Sequence, residues 1–229
     1  MAEGRTIAIG DIHGCACALE TLLAALDLAA EDTVVVLGDA IDRGPDSRGV
    51  MEQLLVLRGN CRLVTIFGNH EQMLLDAINR RIPLQDWLMH GGAEMLDSYG
   101  HTAALAEIPD EHLEFIKTWS DYHETKSHFF AHGNYLSNKP LDRQPWEEMR
   151  WRSLSFFLPR PHSSGKTAVL GHTSNNRGKI VNRGYLVCID TYCHGGGWLT
   201  ALEPTTGRVW QTNQARLLRE TNLVSAEQE

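Results

Sequence analysis

The chain lacks any apolar run near the 18 or so residues that a membrane-spanning helix requires, so no such helix and no membrane partner are expected. Cysteine is sparse: five residues, at 15, 17, 61, 188 and 193, with no CxxC pair. That count argues against a disulfide framework and against a thiolate zinc site, and reads as reduced thiols. Cys15 and Cys17, two apart on a predicted helix, would face apart and receive no metal role. Positive charge is in deficit, with 21 Lys+Arg against 29 Asp+Glu and a net charge of -8. A protein built to hold nucleic acid through its overall charge is therefore not expected. There is no internal repeat, low-complexity linker or composition break in the 229 residues. One domain over 1–229 is the economical reading, with 213–229 as a loose polar tail and a monomer as the expected state. Behind Met1 the chain enters a short strand-like run rather than a leader-like segment, so a cytoplasmic location is expected.

Histidine, by contrast, is plentiful, with 11 residues. Imidazole is the commonest metal ligand and the usual proton carrier near neutral pH. Composition permits a metal site on that ground without requiring one.

Periodicity gives the framework. Apolar runs at Thr6–Ile9, Thr33–Leu37 and Leu63–Phe67 read as strands. Between and after them, 16–28, 47–57 and 71–80 carry leucines and other apolar residues at helical spacing, and Pro45-Asp46-Ser47 has helix-start chemistry. This βαβαβα order predicts an α/β fold with parallel strands. Pro109-Asp110 opens a further helix. Strands are predicted at His128–Ala131, Thr167–Leu170 and Tyr185–Ile189, and a hairpin at Trp198–Leu202 and Arg208–Gln211. Residues 134–165 read as a long surface excursion, of the kind that often carries function.

Five predicted strands end alike. Each meets a glycine or alanine and then a residue able to bind metal or handle protons. The endings are Asp11 with His13, Asp39 with Asp42, Asn69 with His70, His132, and His172. Ligands of α/β sheets bind beyond the carboxyl ends of strands, so these positions can converge in space. Gly38-Asp39-Ala40-Ile41-Asp42-Arg43-Gly44 puts two acids and a base into one short loop. Gly68-Asn69-His70-Glu71 specifies four residues in a row. A plain turn explains neither. His132 and His172 gain weight by following the stronger motifs in order.

Together, Gly10-Asp11-Ile12-His13-Gly14, the 38–44 and 68–71 motifs, His132-Gly133 and Gly171-His172 resemble the motif set of the phosphoprotein phosphatase family of metallophosphoesterases, in its short bacterial and phage branch. The resemblance runs from about residue 5 to about residue 203. It implies a β-sandwich of mixed sheets flanked by helices, with a dinuclear metal site at the strand C-terminal ends. One departure stands out: Asn134 follows Gly133 where the family has a second glycine.

The resemblance also implies roles. Asp11, His13 and Asp39 would hold one divalent ion, and Asp39, Asn69, His132 and His172 the other, with Asp39 shared. Mn²⁺ is the implied ion. The nitrogen and oxygen donor set equally admits Fe, Co, Zn or Ni. A hydroxide between the metals would attack phosphorus directly. His70 would protonate the leaving oxygen, with Asp42 as its carboxylate partner. Arg43 and Arg152 would grip phosphate oxygens together with Asn69, and Arg150 is the alternative to Arg152. Two divalent ions would more than offset Asp11 and Asp39, so an acidic chain could present a positive pocket. The other seven histidines, at 90, 101, 112, 123, 128, 162 and 194, receive no role.

The implied activity is phosphomonoester hydrolysis of a serine/threonine protein phosphatase type, on phosphorylated protein or small phosphate esters. The alternative is dinucleoside tetraphosphate hydrolysis by a related branch, which typically lacks the second acid that Asp42 supplies here. A third reading is an inactive phosphate-binding protein.

Overall fold

In the computed structural model, which describes residues 4–100 and 104–224, the first three apolar runs become short strands, two largely buried and the third half-buried at a sheet edge. Thr6–Ile9 forms β1, Thr33–Val36 β2 and Arg62–Thr65 β3. The helices between and after them are α1 (Ala16–Leu26), α2 (Ser47–Asn60) and α3 (Asn69–Ile78). β1, β2 and β3 pair in parallel, as the alternating pattern predicts. Asp46 caps α2 by accepting from the Gly49 N–H at 2.8 Å, as its helix-start sequence predicts.

Then follow α4 (Leu84–Trp87), α5 (Ala93–Tyr99) and α6 (Asp110–Lys117). Next come β4 (Tyr122–Glu124), β5 (His128–Ala131), α7 (Trp146–Trp151), β6 (Thr167–Leu170), β7 (Val181–Asn182) and β8 (Leu186–Cys188). The chain closes with β9 (Leu199–Glu203), β10 (Arg208–Thr212) and β11 (Leu218–Asn222). The strands make two mixed sheets, ordered β11-β10-β9-β1-β2-β3 and β4-β5-β6-β8-β7.

Side chains alternate between layers. Ala8, Val35, Leu202 and Val209 of the first sheet meet Phe130, Val169 and Val187 of the second. Ile7, Ile9, Val34 and Val36 point the other way, onto Leu19, Leu22, Leu54 and Leu74 of the helices. Phe129, Ala131, Ala168 and Leu170 cover the outer face of the second sheet with Tyr135, Leu141 and Met149. A strand covered on both faces reads as an unbroken apolar run, which is why β1, β2, β5 and β6 were legible. Truncating a buried leucine such as Leu22 to alanine would cost about 2–5 kcal/mol. Among the described residues no helix is long and apolar enough to cross a membrane.

Two expectations need correction. Part of the predicted loose tail is β11, which pairs antiparallel with β10 from Arg208↔Asn222 to Thr212↔Leu218. Its residues are all exposed, so it carries no apolar alternation to reveal it; Arg208 pairs with Glu220 at 2.8 Å across the ladder. Residues 225–229 of that tail lie outside the described residues. The 134–165 excursion is also more than surface. It includes α7 and buries Tyr135, Leu141, Met149 and His162 on the second sheet.

Candidate metal centre

All five predicted strand ends converge where the two sheets meet. β1 leads to Asp11 and His13, and β2 to Asp39, Asp42 and Arg43. Asn69 and His70 open α3 just after β3. His132 follows β5 and His172 follows β6. Asp11, His13, Asp39, Asp42, Asn69, His70 and His132 are buried; His172 is half-buried and Arg43 exposed. His13, Asp39, Asp42, Arg43 and His172 all hold left-handed backbone, with φ of 45°, 47°, 69°, 65° and 61°. Such conformations are unfavourable for residues with a Cβ and gather at functional sites. Gly38 precedes Asp39 at φ 98°; a Cβ there would stand 2.8 Å from His132 Nδ1.

Asp39 is the hub. Its Oδ2 lies 3.4 Å from His13 Nε2, 3.4 Å from His132 Nε2 and 3.9 Å from His70 Nε2. Among the described residues it belongs to both ligand groups of suitable geometry, His13–Asp39–His70 and Asp39–His132–His172. The imidazoles are oriented by backbone. His13 donates through Nδ1 to the Ile41 carbonyl at 3.0 Å, and His132 through Nδ1 to the Leu37 carbonyl at 2.8 Å. His172 donates through Nε2 to the Trp151 carbonyl at 2.9 Å. A carbonyl only accepts, so each bond fixes the tautomer and frees the other ring nitrogen for the site. Asn69 Oδ1 stands 3.0 Å from His132 Nε2. This nitrogen and oxygen donor set, with its outer hydrogen bonds in place, fits divalent metal ions.

Asp11 is placed differently. Its two oxygens accept the His172 N–H at 3.1 and 3.0 Å, and it falls in neither ligand group. Burial, then the carboxylates of Asp190 and Asp39, push its carboxyl well above the usual range. Burial has the same direction for Asp39, but His132, His70 and His13 outweigh it and hold that carboxyl well below. Burial also opposes charge on His132, yet Asp39 and Asp11 raise it to about 10. His172 goes the other way, to about 4, through burial and the neighbouring His132. The site is thus an anionic hub that attracts positive charge.

His70 stands apart from the other imidazoles. Its Nδ1 donates to Asp42 Oδ2 at 2.8 Å, and its Nε2 is buried without a partner. Burial lowers the affinity of His70 for its proton, but Asp39 and Asp42 raise it above the ordinary imidazole value overall. Sequence reasoning missed what holds this pair. Trp87 Nε1 donates to the same Asp42 carboxylate, and Ser47 Oγ accepts the Asp42 N–H at 2.9 Å. It also missed the work of Glu71. That carboxylate accepts from the N–H groups of Ala40 (2.8 Å), Gly68 (2.9 Å) and Asp39 (3.0 Å), tying the β2 and β3 endings together. Burial, then Asp39, raise its carboxyl to about 7. No sequence signal distinguished these tasks from ordinary capping.

Arg43 reaches the centre, with Nη1 3.4 Å from His13 Nε2. Arg150 does not: it pairs with Asp121 at 2.6 Å, bonds to Gln72 and lies over the Phe67 ring at 4.3 Å. Arg152 is exposed, 3.3 Å from Glu148 and over the Phe157 ring at 5.0 Å. Asn134, the departure from the family pattern, is fully buried. Its side chain donates to the Phe157 carbonyl at 2.8 Å and accepts the Tyr135 N–H, so it fastens the 153–158 loop beside His132.

Known proteins resemble this chain over most of its length. A family model described as calcineurin-like phosphoesterase matches residues 4–200. Serine/threonine-protein phosphatase 1 of Salmonella typhimurium is 34% identical, over 84% of this chain and 88% of that protein. A symmetrical bis(5'-nucleosyl)-tetraphosphatase of Paracidovorax citrulli is 44% identical, over 85% of this chain and 90% of that protein. The crystal structure of a putative diadenosine tetraphosphatase superposes with TM-score 0.68 at 23% identity, covering 98% of this chain and 96% of that one. With its sandwich of two mixed sheets and its His–Asp hub at their junction, the chain belongs to the calcineurin-like metallophosphoesterases and, within them, to the phosphoprotein phosphatase family.

Proposed function

We propose that this metallophosphoesterase hydrolyses phosphomonoesters in the manner of a serine/threonine protein phosphatase. The observation that carries the reading is the His70–Asp42 dyad: Nδ1 is held at 2.8 Å and Nε2 is left bare beside the Asp39 hub. That is the arrangement a general acid needs. Asp11, His13 and Asp39 would hold one divalent ion, and Asp39, Asn69, His132 and His172 the second, with Mn²⁺ the favoured ion. When bound, the pair supplies Lewis-acid stabilisation and makes water acidic enough to attack near neutral pH.

The chain's own groups do the rest. Arg43, with Nη1 3.4 Å from His13 Nε2, would hold a phosphate oxygen by paired N–H donors. Arg152 is the second candidate grip, because Arg150 is committed to Asp121 and Gln72 from other elements, while Arg152 is exposed and meets Glu148 and the Phe157 ring nearby in the chain. His70 gives its Nε2 proton to the departing oxygen, and Asp42 keeps the ring in the correct tautomer and stabilises its cation. A phosphorylated serine or threonine side chain, or a small aryl ester, is the substrate class.

A second reading, symmetrical cleavage of dinucleoside tetraphosphates, is supported by the Paracidovorax relative and by the structural likeness over 98% of the chain. One panel separates the two. Purified protein with Mn²⁺ is assayed on p-nitrophenyl phosphate, a phosphoserine peptide and diadenosine tetraphosphate. Turnover of the first two at the higher kcat/KM is expected. Preferred cleavage of the tetraphosphate, with an inert phosphopeptide, reverses the order. No metal-dependent turnover of any of them refutes both readings.

A further inference from the structure

His194 is one of the histidines to which the sequence gives no role, yet it stands at the metal centre. Its ring meets the His13 ring edge-on, with centroids 4.6 Å apart and planes at 76°. His70 meets the same His13 ring from another direction, at 4.7 Å and 84°. His13 is therefore flanked by two imidazoles, one of which already has a part in the proposed chemistry. The Arg43 guanidinium, 3.4 Å from His13 Nε2, lies at the same ligand.

The loop that carries His194 is built to present it. Thr191 ends the β8 side, and its hydroxyl hydrogen-bonds to the Trp198 carbonyl and the Thr200 hydroxyl, each at 2.5 Å. Tyr192 adopts left-handed backbone at φ 66°, and its ring packs on His194 with centroids 4.8 Å apart. Glycine at 195 leaves room for the Tyr192 ring, since a Cβ there would come within 2.0 Å of it and displace it. A turn that closes tightly around one side chain, with strained backbone before it, marks a position that matters.

The remaining observation points to a ligand. His194 Nδ1 is buried and has no hydrogen-bond partner. In the neighbourhood of this centre it shares that state with His70 Nε2. Buried polar atoms are nearly always paired, and those that are not mark places completed by water or ligand. An imidazole N–H is a hydrogen-bond donor well suited to an anionic oxygen.

We propose that His194 is a substrate-contacting residue of this centre, donating a hydrogen bond to a phosphoryl oxygen on the side lined by His13 and Arg43. The proposal rests on the phosphatase reading for its substrate and on this chain's geometry for its site. His194 holds the phosphate group itself, so it acts on any phosphate ester that enters and on inorganic phosphate as product.

The test uses full-length Mn²⁺-loaded protein and inorganic phosphate as the probe. Three quantities are measured for wild type, His194→Ala and His194→Asn: metal content per chain, affinity for phosphate by calorimetry, and kcat and KM on p-nitrophenyl phosphate. Loss of one charge-assisted hydrogen bond should weaken phosphate binding about tenfold in His194→Ala, at unchanged metal content. His194→Asn keeps a donor near the Nδ1 position and should recover most of the affinity. Unchanged phosphate affinity in His194→Ala overturns the proposal. So does weakened binding that tracks loss of metal, since His194 would then only be supporting His13. Wild-type protein that binds phosphate but hydrolyses no ester fails the phosphatase reading, while the affinity comparison still judges His194. Wild-type protein that binds no phosphate refutes both.

Discussion

Trp87 donates its indole N–H to both oxygens of Asp42, at 3.2 Å to Oδ1 and 3.0 Å to Oδ2. Oδ2 also accepts from His70 Nδ1, so one fully buried carboxylate joins a helix α4 tryptophan to the proposed general acid. Burial and Asp39 push the Asp42 carboxyl up, while His70 and Trp87 hold it down. Trp87→Phe removes one of these donors and keeps most of the packing volume. It should lower kcat by about 3- to 10-fold and stability by about 1–3 kcal/mol, the usual cost of a buried acceptor losing its partner. Steady-state kinetics and urea unfolding measure both. Full retention of kcat would show that Asp42 needs no help from the indole.

His70→Asn removes the proposed acid and leaves the Asp39 hub in place. Turnover on p-nitrophenyl phosphate should fall by roughly 10²–10⁴-fold, the usual range for general acid–base catalysis. Metal content should stay near that of the wild type. Loss of metal in step with activity would instead make His70 a ligand, an assignment its place beside His13 and Asp39 leaves geometrically open.

Asp39→Asn neutralises the one carboxylate common to both ligand groups. Metal analysis after dialysis should find the ions lost. The thermal midpoint gives a second readout. Mn²⁺ should raise that of the wild type, EDTA should lower it again, and the variant should respond to neither, because a ligand stabilises only the state that binds it. Retention of two tightly held ions by the Asp39→Asn variant would contradict a shared Asp39.

Glu71→Gln replaces an acceptor of three backbone N–H groups by an amide with only one oxygen. Its NH₂ would face an N–H donor. The variant should lose about 1–3 kcal/mol of stability and bind Mn²⁺ more weakly, since the β2 and β3 endings that carry Asp39 and Asn69 are no longer tied. Unfolding and metal titration with unchanged midpoints would assign Glu71 to ordinary helix capping alone.

Far from the centre, Asp32 accepts from the Arg5 N–H, the Arg5 guanidinium and the Ala29 N–H, at distances from 2.6 to 3.1 Å. Burial works against its charge, but Arg5 and the backbone donors hold its carboxyl below the usual value. A depressed carboxylate stabilises the fold above its unfolded pKa, near 4, and that contribution is lost as pH falls through the lower folded value. Asp32→Asn should therefore cost about 1–3 kcal/mol at pH 7. The gap from wild type should narrow below about pH 4. A gap that widened on acidification would reverse the sign of the argument.

The sequence spoke most clearly where chemistry and fold coincide. β1, β2, β5 and β6 sit between two layers, so their apolar runs are unbroken, and each ends on a residue of the site. β4, β7 and β11 are edge strands of two to five residues, with at most one covered face, and gave no such pattern. The sequence placed Asp11 at a strand end beside His13, but could not show that it would take the His172 N–H on both oxygens. The choice between Arg150 and Arg152 was open in the sequence because both are arginines two residues apart. It is narrowed by Asp121 and Gln72, which meet Arg150 from other elements.

By itself, then, the sequence determined the residue types at the strand ends, and with them which nitrogen and oxygen donors are available there, because strand ends sit at fixed places in an α/β chain. It could not determine how those side chains are held. Trp87 on Asp42, Glu71 across two strand endings, Asn134 on Phe157 and His194 against His13 are contacts between segments that only packing brings together. Their residue types are ordinary. What distinguishes them is burial and direction, and those exist only once two sheets have closed on one another.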